Sequence, residues 1–137
     1  MTLLDIALGQ YGVTEVPGIE NNPQIMSYFR ETGHNWVQGD ETSWCSAFVN
    51  WCAQKAEKES SGQLTARSWL KVGEEVYVPK TGDLVVLWRD KIDSWKGHVG
   101  IYINSVNTDI HVLGGNQNNR VQISPYPAVR VISYRRI

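Results

Sequence analysis

The chain holds two cysteines, Cys45 and Cys52, and three histidines, His34, His98 and His111. A cysteine and a histidine that meet can do nucleophilic chemistry: the thiolate attacks, and the imidazole takes and returns the proton. Cys45 is the better placed thiol. It falls at the start of a helical stretch, TSWCSAFVNWCAQK, where unpaired backbone N–H groups and the helix dipole favour an anion and lower a thiol pKa. The same position suits a buried structural cysteine equally well. Cys52 lies two turns further on, in the apolar stripe, and reads as structural. On a helix the two residues stand about 10 Å apart along the axis, beyond disulfide reach.

His34 follows a glycine in the polar stretch GHNW and reads as solvent-exposed. His111 sits inside a strand pattern. His98 opens a strand directly after Gly97, and Gly100 shares its face, so another backbone or a substrate can come close. His98 is therefore the expected base. An imidazole in this role is oriented by a third group through its other nitrogen. Asn116, in LGGNQ at the end of the following strand, reaches it if the two strands pair. The plain alternative is that Gly and Asn stand there as turn formers.

The elements that must position these groups are legible from period and punctuation. Thr2-Leu3-Leu4-Asp5 resembles a capping box, and Leu3, Leu4, Ala7, Leu8 and Tyr11 recur at helical spacing. Asn22-Pro23 caps a second helix whose stripe is Ile25, Met26 and Phe29, with Gly33 placed to end it. The third helix covers residues 42–55, with Cys45, Phe48, Val49 and Cys52 on one face. A polar linker, 57–63, leads to a brief helix that Thr65 caps, with Trp69 and Leu70, closed by Gly73. From Pro79 the period becomes two. Strands are expected at 84–88, 98–103, 110–113, 121–123 and 129–134, with turns at Thr81-Gly82-Asp83, 104–109 and 117–120. Helices first and an antiparallel sheet of about five strands after predict an α+β fold. The whole chain, 1–137, is expected to form one domain, because neither half carries enough apolar surface alone.

Taken in order, DETSWCSAFVNWCA, TGDLVVLW, GHVGIYI and VLGGNQ resemble the CHAP/NlpC-P60 superfamily of papain-like cysteine hydrolases, from about residue 41 to residue 119. The resemblance implies a papain-like α+β core and cleavage of an amide bond in peptidoglycan through a cysteine thioester. The enzyme would be an N-acetylmuramoyl-L-alanine amidase or a stem or cross-bridge endopeptidase. Cys45 matches the nucleophile and His98 the base. Many CHAP members place Glu, Asp or Asn after the histidine strand; this chain has Gly114 at one candidate position and Asn116 at the next. Asn116 is assigned as the orienter, with Gln117 as second contender and substrate contact. Backbone amides at the helix start would hold the oxyanion, with Thr42 or Ser43 as a side-chain donor. Some members carry an acidic calcium loop. No such run occurs here, so no metal and no cofactor are expected. A non-catalytic peptidoglycan-binding module on the same fold is the competing reading.

Six tryptophans are many for this length. Trp44, Trp51, Trp69 and Trp88 fit core packing, and Trp44, beside Cys45, is also counted as a substrate contact. Trp95, in the loop before His98, is either a groove wall or a ring over the core edge. Asp40 and Glu41 favour the helix start, and Asp40 is a candidate for the amine of a stem peptide. A carboxylate there would raise the Cys45 pKa.

Bulk properties exclude several classes. Net charge is −1 with no basic block, which removes a nucleic-acid footprint. No apolar run approaches the ~18 residues of a membrane span. The start, MTLLDIALGQ, lacks a positively charged leader, so synthesis in the cytoplasm without a signal peptide is expected, with action on the cell wall after export or lysis. An interbacterial toxin would bring an immunity protein as partner. The histidines show no HxH or HxxxH spacing, against a metal-dependent hydrolase.

Overall fold

The computed structural model describes residues 1–16, 21–39 and 43–137. Helix α1 (Leu3–Leu8) carries the expected capping box: the Thr2 hydroxyl accepts from the Asp5 amide, and the Asp5 carboxylate from the Thr2 amide. Helix α2 (Pro23–Arg30) is capped by Asn22, whose side chain accepts from the amides of Gln24 and Ile25. Helix α3 (Cys45–Lys55) begins at Cys45 itself. A 3₁₀ helix (Ala66–Lys71) contains Trp69 and Leu70.

The sheet has six strands rather than five. They are β1 (Glu74–Val76), β2 (Leu84–Trp88), β3 (Gly97–Val106), β4 (Asp109–Gln117), β5 (Arg120–Pro127) and β6 (Val131–Arg136). Their order is β1-β6-β2-β3-β4-β5, and every neighbouring pair is antiparallel. The extra strand β1 is only three residues long and mostly exposed, so it carries no alternation to detect. The arrangement is α+β, as the pattern predicted, and papain-like, as the resemblance implied.

Strand β2 explains how the layers fit. Its run LVVLW is buried on both faces. Leu84 and Val86 join the large core beneath the helices, while Val85 and Leu87 join a smaller cluster with Tyr102, Ile110 and Val112. Asp83, in the turn before β2, accepts from the Lys80 amide and from two nitrogens of Arg136 at 2.8 and 2.6 Å. That bidentate pair fastens the start of β2 to the end of β6.

Helix α3 departs from a one-sided stripe. All nine residues from Cys45 to Ala53 are buried. The sheet covers one side, α1 and α2 another, and the segment after α3 covers a third. The polar residues on that third side are therefore paired. Asn50 accepts from the amides of Ser61 and Gly62 at 3.0 Å each and donates to the Gln63 carbonyl at 2.9 Å. Ser46 donates to the same carbonyl at 2.6 Å and accepts from the Trp69 indole at 3.0 Å. Leaving such buried groups unpaired would cost about 1–3 kcal/mol each. Through this network the end of the polar linker is fastened to α3.

No helix among the described residues is long and apolar enough to cross a membrane.

Candidate active site

Cys45 is the first residue of α3, with Trp44 at the N-cap position. It is only 3% exposed, and what is exposed lines a groove of about 310 Å³. The His98 imidazole lies near enough to bear on the Cys45 thiol through its polar hydrogen and its charge, and the amides of Ser46 and Val99 bear on the sulfur as well. The backbone makes this meeting possible. The β3–β4 register runs from Val106↔Asp109 to Ile101↔Leu113, and His98 lies beyond it, where the helix start comes against β3.

The electrostatics follow from these contacts. Burial pushes the Cys45 thiol up, but the hydrogen bond and charge of His98 and the two amides outweigh it, so the thiol lies below its ordinary range. Burial pushes the His98 imidazole down, yet the bond and charge of Cys45, with the bond to Gln117, carry it above its ordinary value. Both directions favour one coupled state, a thiolate–imidazolium pair. At Cys52 burial acts alone and pushes the thiol up. The other histidines are elsewhere: His34 is bonded to the Gly62 carbonyl, and His111 pairs with Pro125 in the sheet.

The third position corrects the expectation. His98 Nε2 meets Gln117 Oε1 at 2.8 Å, whereas the Asn116 amide donates to Ser43 Oγ at 3.4 Å. The cause is local. The β4–β5 register shifts between Gly114 and Gln117, and Asn116 has a left-handed φ of 59°. One extra residue in a strand reverses which side chains face inward. Gln117, rather than Asn116, therefore shares the His98 side with Gly114. Gly114 leaves the space: a Cβ there would lie 2.5 Å from Gln117 Oε1 and 3.2 Å from His98 Nε2.

The Gln117 amide has one orientation. Its nitrogen donates to the carbonyls of Val112 at 3.0 Å and Gln122 at 2.7 Å, so its oxygen must face His98. That oxygen only accepts, so His98 carries its proton on Nε2. The Nδ1 nitrogen is left for the thiol. Tyr126 stacks on the ring, with centroids 5.3 Å apart, and fixes its plane. Burial, then the Cys45 charge, push the Tyr126 phenol up to about 12, so it stays neutral.

Trp44 is a second correction. It is fully buried, its indole donates to Glu15 Oε1 at 2.7 Å, and it sits beneath Gly115, whose Cβ would come within 2.7 Å of the ring. It supports the strand end and cannot touch a ligand in the groove. Trp95 does line the groove and is 72% exposed. Asp40 and Thr42 lie outside the described residues. Among the described residues no group of three or more His, Cys, Asp or Glu is arranged to hold a metal.

Two contributors had no signal in the sequence. Arg67, from the 3₁₀ helix, donates to the carbonyls of Lys96 at 2.8 Å, Ile92 at 2.7 Å and Lys91 at 3.0 Å. It thereby pins the loop that carries Trp95. Tyr126 is one alternating aromatic in a strand, and only the sheet brings it to His98.

The chemistry open to this arrangement is nucleophilic attack by a buried thiolate on a group admitted through the groove. The comparisons agree with it in kind. The CHAP domain profile matches residues 37–116, more than half of the chain. The fold is similar to that of a Staphylococcus aureus subsp. aureus Mu50 protein described as similar to lipoprotein, NLP/P60 family. The TM-score is 0.54 at 19% identity, over 98% of this chain and 40% of that one. No curated protein matches the sequence. The chain thus spans less than half the length of its structural relative, and at that identity the likeness speaks for the fold. From the matched profile, which takes in both the cysteine helix and the histidine strand, the chain belongs to the CHAP domain family, a family of peptidoglycan-associated hydrolases.

Proposed function

We propose that this protein is a cysteine amidase or endopeptidase that hydrolyses an amide bond of peptidoglycan, an N-acetylmuramoyl-L-alanine amide or a bond of the stem or cross-bridge. The observation that carries the proposal is the mutual influence of Cys45 and His98 beside a groove that Cys45 lines, with the thiol lowered and the imidazole raised. A structural cysteine gains nothing from a buried imidazole.

The steps use this chain's own groups. The Cys45 thiolate adds to the amide carbon, and the charge on oxygen is met by first-turn amides of α3. The C–N bond breaks as His98 gives its proton to the leaving nitrogen, leaving a thioester. His98 then takes a proton from water, which attacks the thioester and releases the acid. Gln117 acts as a positioning residue that keeps Nδ1 of His98 toward the sulfur. Trp95 and the wall at residues 64–66 line the approach.

Mass spectrometry of purified peptidoglycan after incubation tests the proposal and names the bond. New amine and carboxyl ends are expected with the native protein and none with Cys45→Ala, whose fold is checked by circular dichroism. Undiminished cleavage by folded Cys45→Ala overturns the assignment. Sedimentation with cell walls but no released ends identifies a binding module instead.

A further inference from the structure

The groove contains two cations that form no ion pair among the described residues. Arg89 and Lys96 both line it. The ion pairs among the described residues are Lys55–Glu31 and Arg136–Asp83, so neither groove cation is paired, even with Asp90 or Asp93 of the same loop. Apart from Cys45, whose charge is matched by His98, the remaining lining is neutral. Arg67, the neighbouring cation, is wholly engaged by its three carbonyls and holds the loop in place. Arg89 and Lys96 are thus presented from a fastened wall, in a chain whose net charge is −1. The Arg89 charge is felt at both His98 and Tyr126, which puts it beside the reacting groups.

An unpaired cation here opposes the imidazolium that the reaction needs. An anion bound between the two cations removes that opposition. We infer that Arg89 and Lys96 read a carboxylate carried by the substrate next to the scissile amide, so that the groove selects anionic peptides. This rests on the hydrolase reading for the identity of the ligand. Stem peptides offer such a group in the α-carboxylate of γ-linked glutamate, which occurs free or as a carboxamide. The two forms have almost the same shape and differ in charge, so a preference between them reports the cations.

The test uses two soluble muropeptides that differ only at that group. The native protein should favour the free carboxylate about fivefold to tenfold in kcat/KM, the sum expected from two exposed charge pairs. In Arg89→Gln/Lys96→Gln the ratio should fall to about one, with each single variant between. The ratio of kcat/KM values is the correct measure, because both refer to the same free enzyme, in which the loss of Arg89 shifts His98 before either substrate binds. Calorimetric titration of the same peptides into Cys45→Ala gives a second readout, with the same preference expected in Kd. Equal use of the two peptides by native protein, or a preference kept by the double variant, overturns the inference and leaves the hydrolase assignment standing. Discrimination in Kd without turnover of either peptide has the opposite meaning: the carboxylate site stands and the hydrolase assignment fails. The absence of both turnover and discrimination overturns the inference outright.

Discussion

Replacing Gln117 by leucine separates positioning from packing. Leucine keeps the volume but removes three hydrogen bonds, one to His98 and one each to the carbonyls of Val112 and Gln122. The two carbonyls lose their donor, and Gln122's is only partly buried, so the stability cost is about 2–4 kcal/mol. The bond to His98 is charge-assisted when the imidazole is protonated, and such a bond contributes about 1.5–3 kcal/mol. If that term acts in the transition state, kcat/KM falls roughly 10- to 150-fold. The pH profile carries the sharper sign. Gln117 is one of the groups that raise His98, so its loss lowers the imidazole pKa and moves the alkaline limb of activity to lower pH. A purely structural residue would reduce the folded fraction and leave that limb in place. Gln117→Glu supplies the control: it keeps the acceptor but turns an oxygen toward two carbonyls, so at neutral pH it should melt no higher than Gln117→Leu. Stability is read by thermal unfolding, and activity on soluble muropeptides at a temperature where each variant is folded. Unchanged kcat/KM and an unmoved alkaline limb in folded Gln117→Leu would refute the positioning role.

Gly114→Ala should weaken both stability and activity, because its Cβ would stand 2.5 Å from Gln117 Oε1. In a Gln117→Ala background the same change should cost much less, measurable as a double-mutant cycle. Iodoacetamide should modify Cys45 well before Cys52, since the first thiol is lowered at a groove and the second is raised by burial; mass mapping that finds Cys52 first counts against this. The native pH–kcat/KM profile should be bell-shaped. Its acid limb reports formation of the thiolate, moved down from the ordinary thiol range, and its alkaline limb reports loss of the imidazolium proton, moved up from the ordinary imidazole range. A single rising limb through the ordinary thiol range would show that no ion pair forms.

What the sequence determined by itself was whatever depends on neighbours within a turn or a strand. The N-caps of α1 and α2, the helical period of α3, the alternating strands and the placement of Cys45 at a helix start are local facts, and each follows from period or from an end effect. Choosing His98 required only that His34 and His111 fall in unsuitable settings. The tertiary structure decided the rest, because those groups are joined over long separations. Gln117 replaces Asn116 at His98 because a left-handed residue inside β4 reverses the alternation, which a rule of period two cannot foresee. Trp44 turned inward because Glu15, distant in the chain, offers its indole an acceptor. Arg67 looks like any helical surface cation until the β2–β3 loop folds over it and three carbonyls converge on its guanidinium. Strand and helix types are set by energies that neighbouring residues already contain. The site is set by which unlike segments come together, and only the packed chain holds that information.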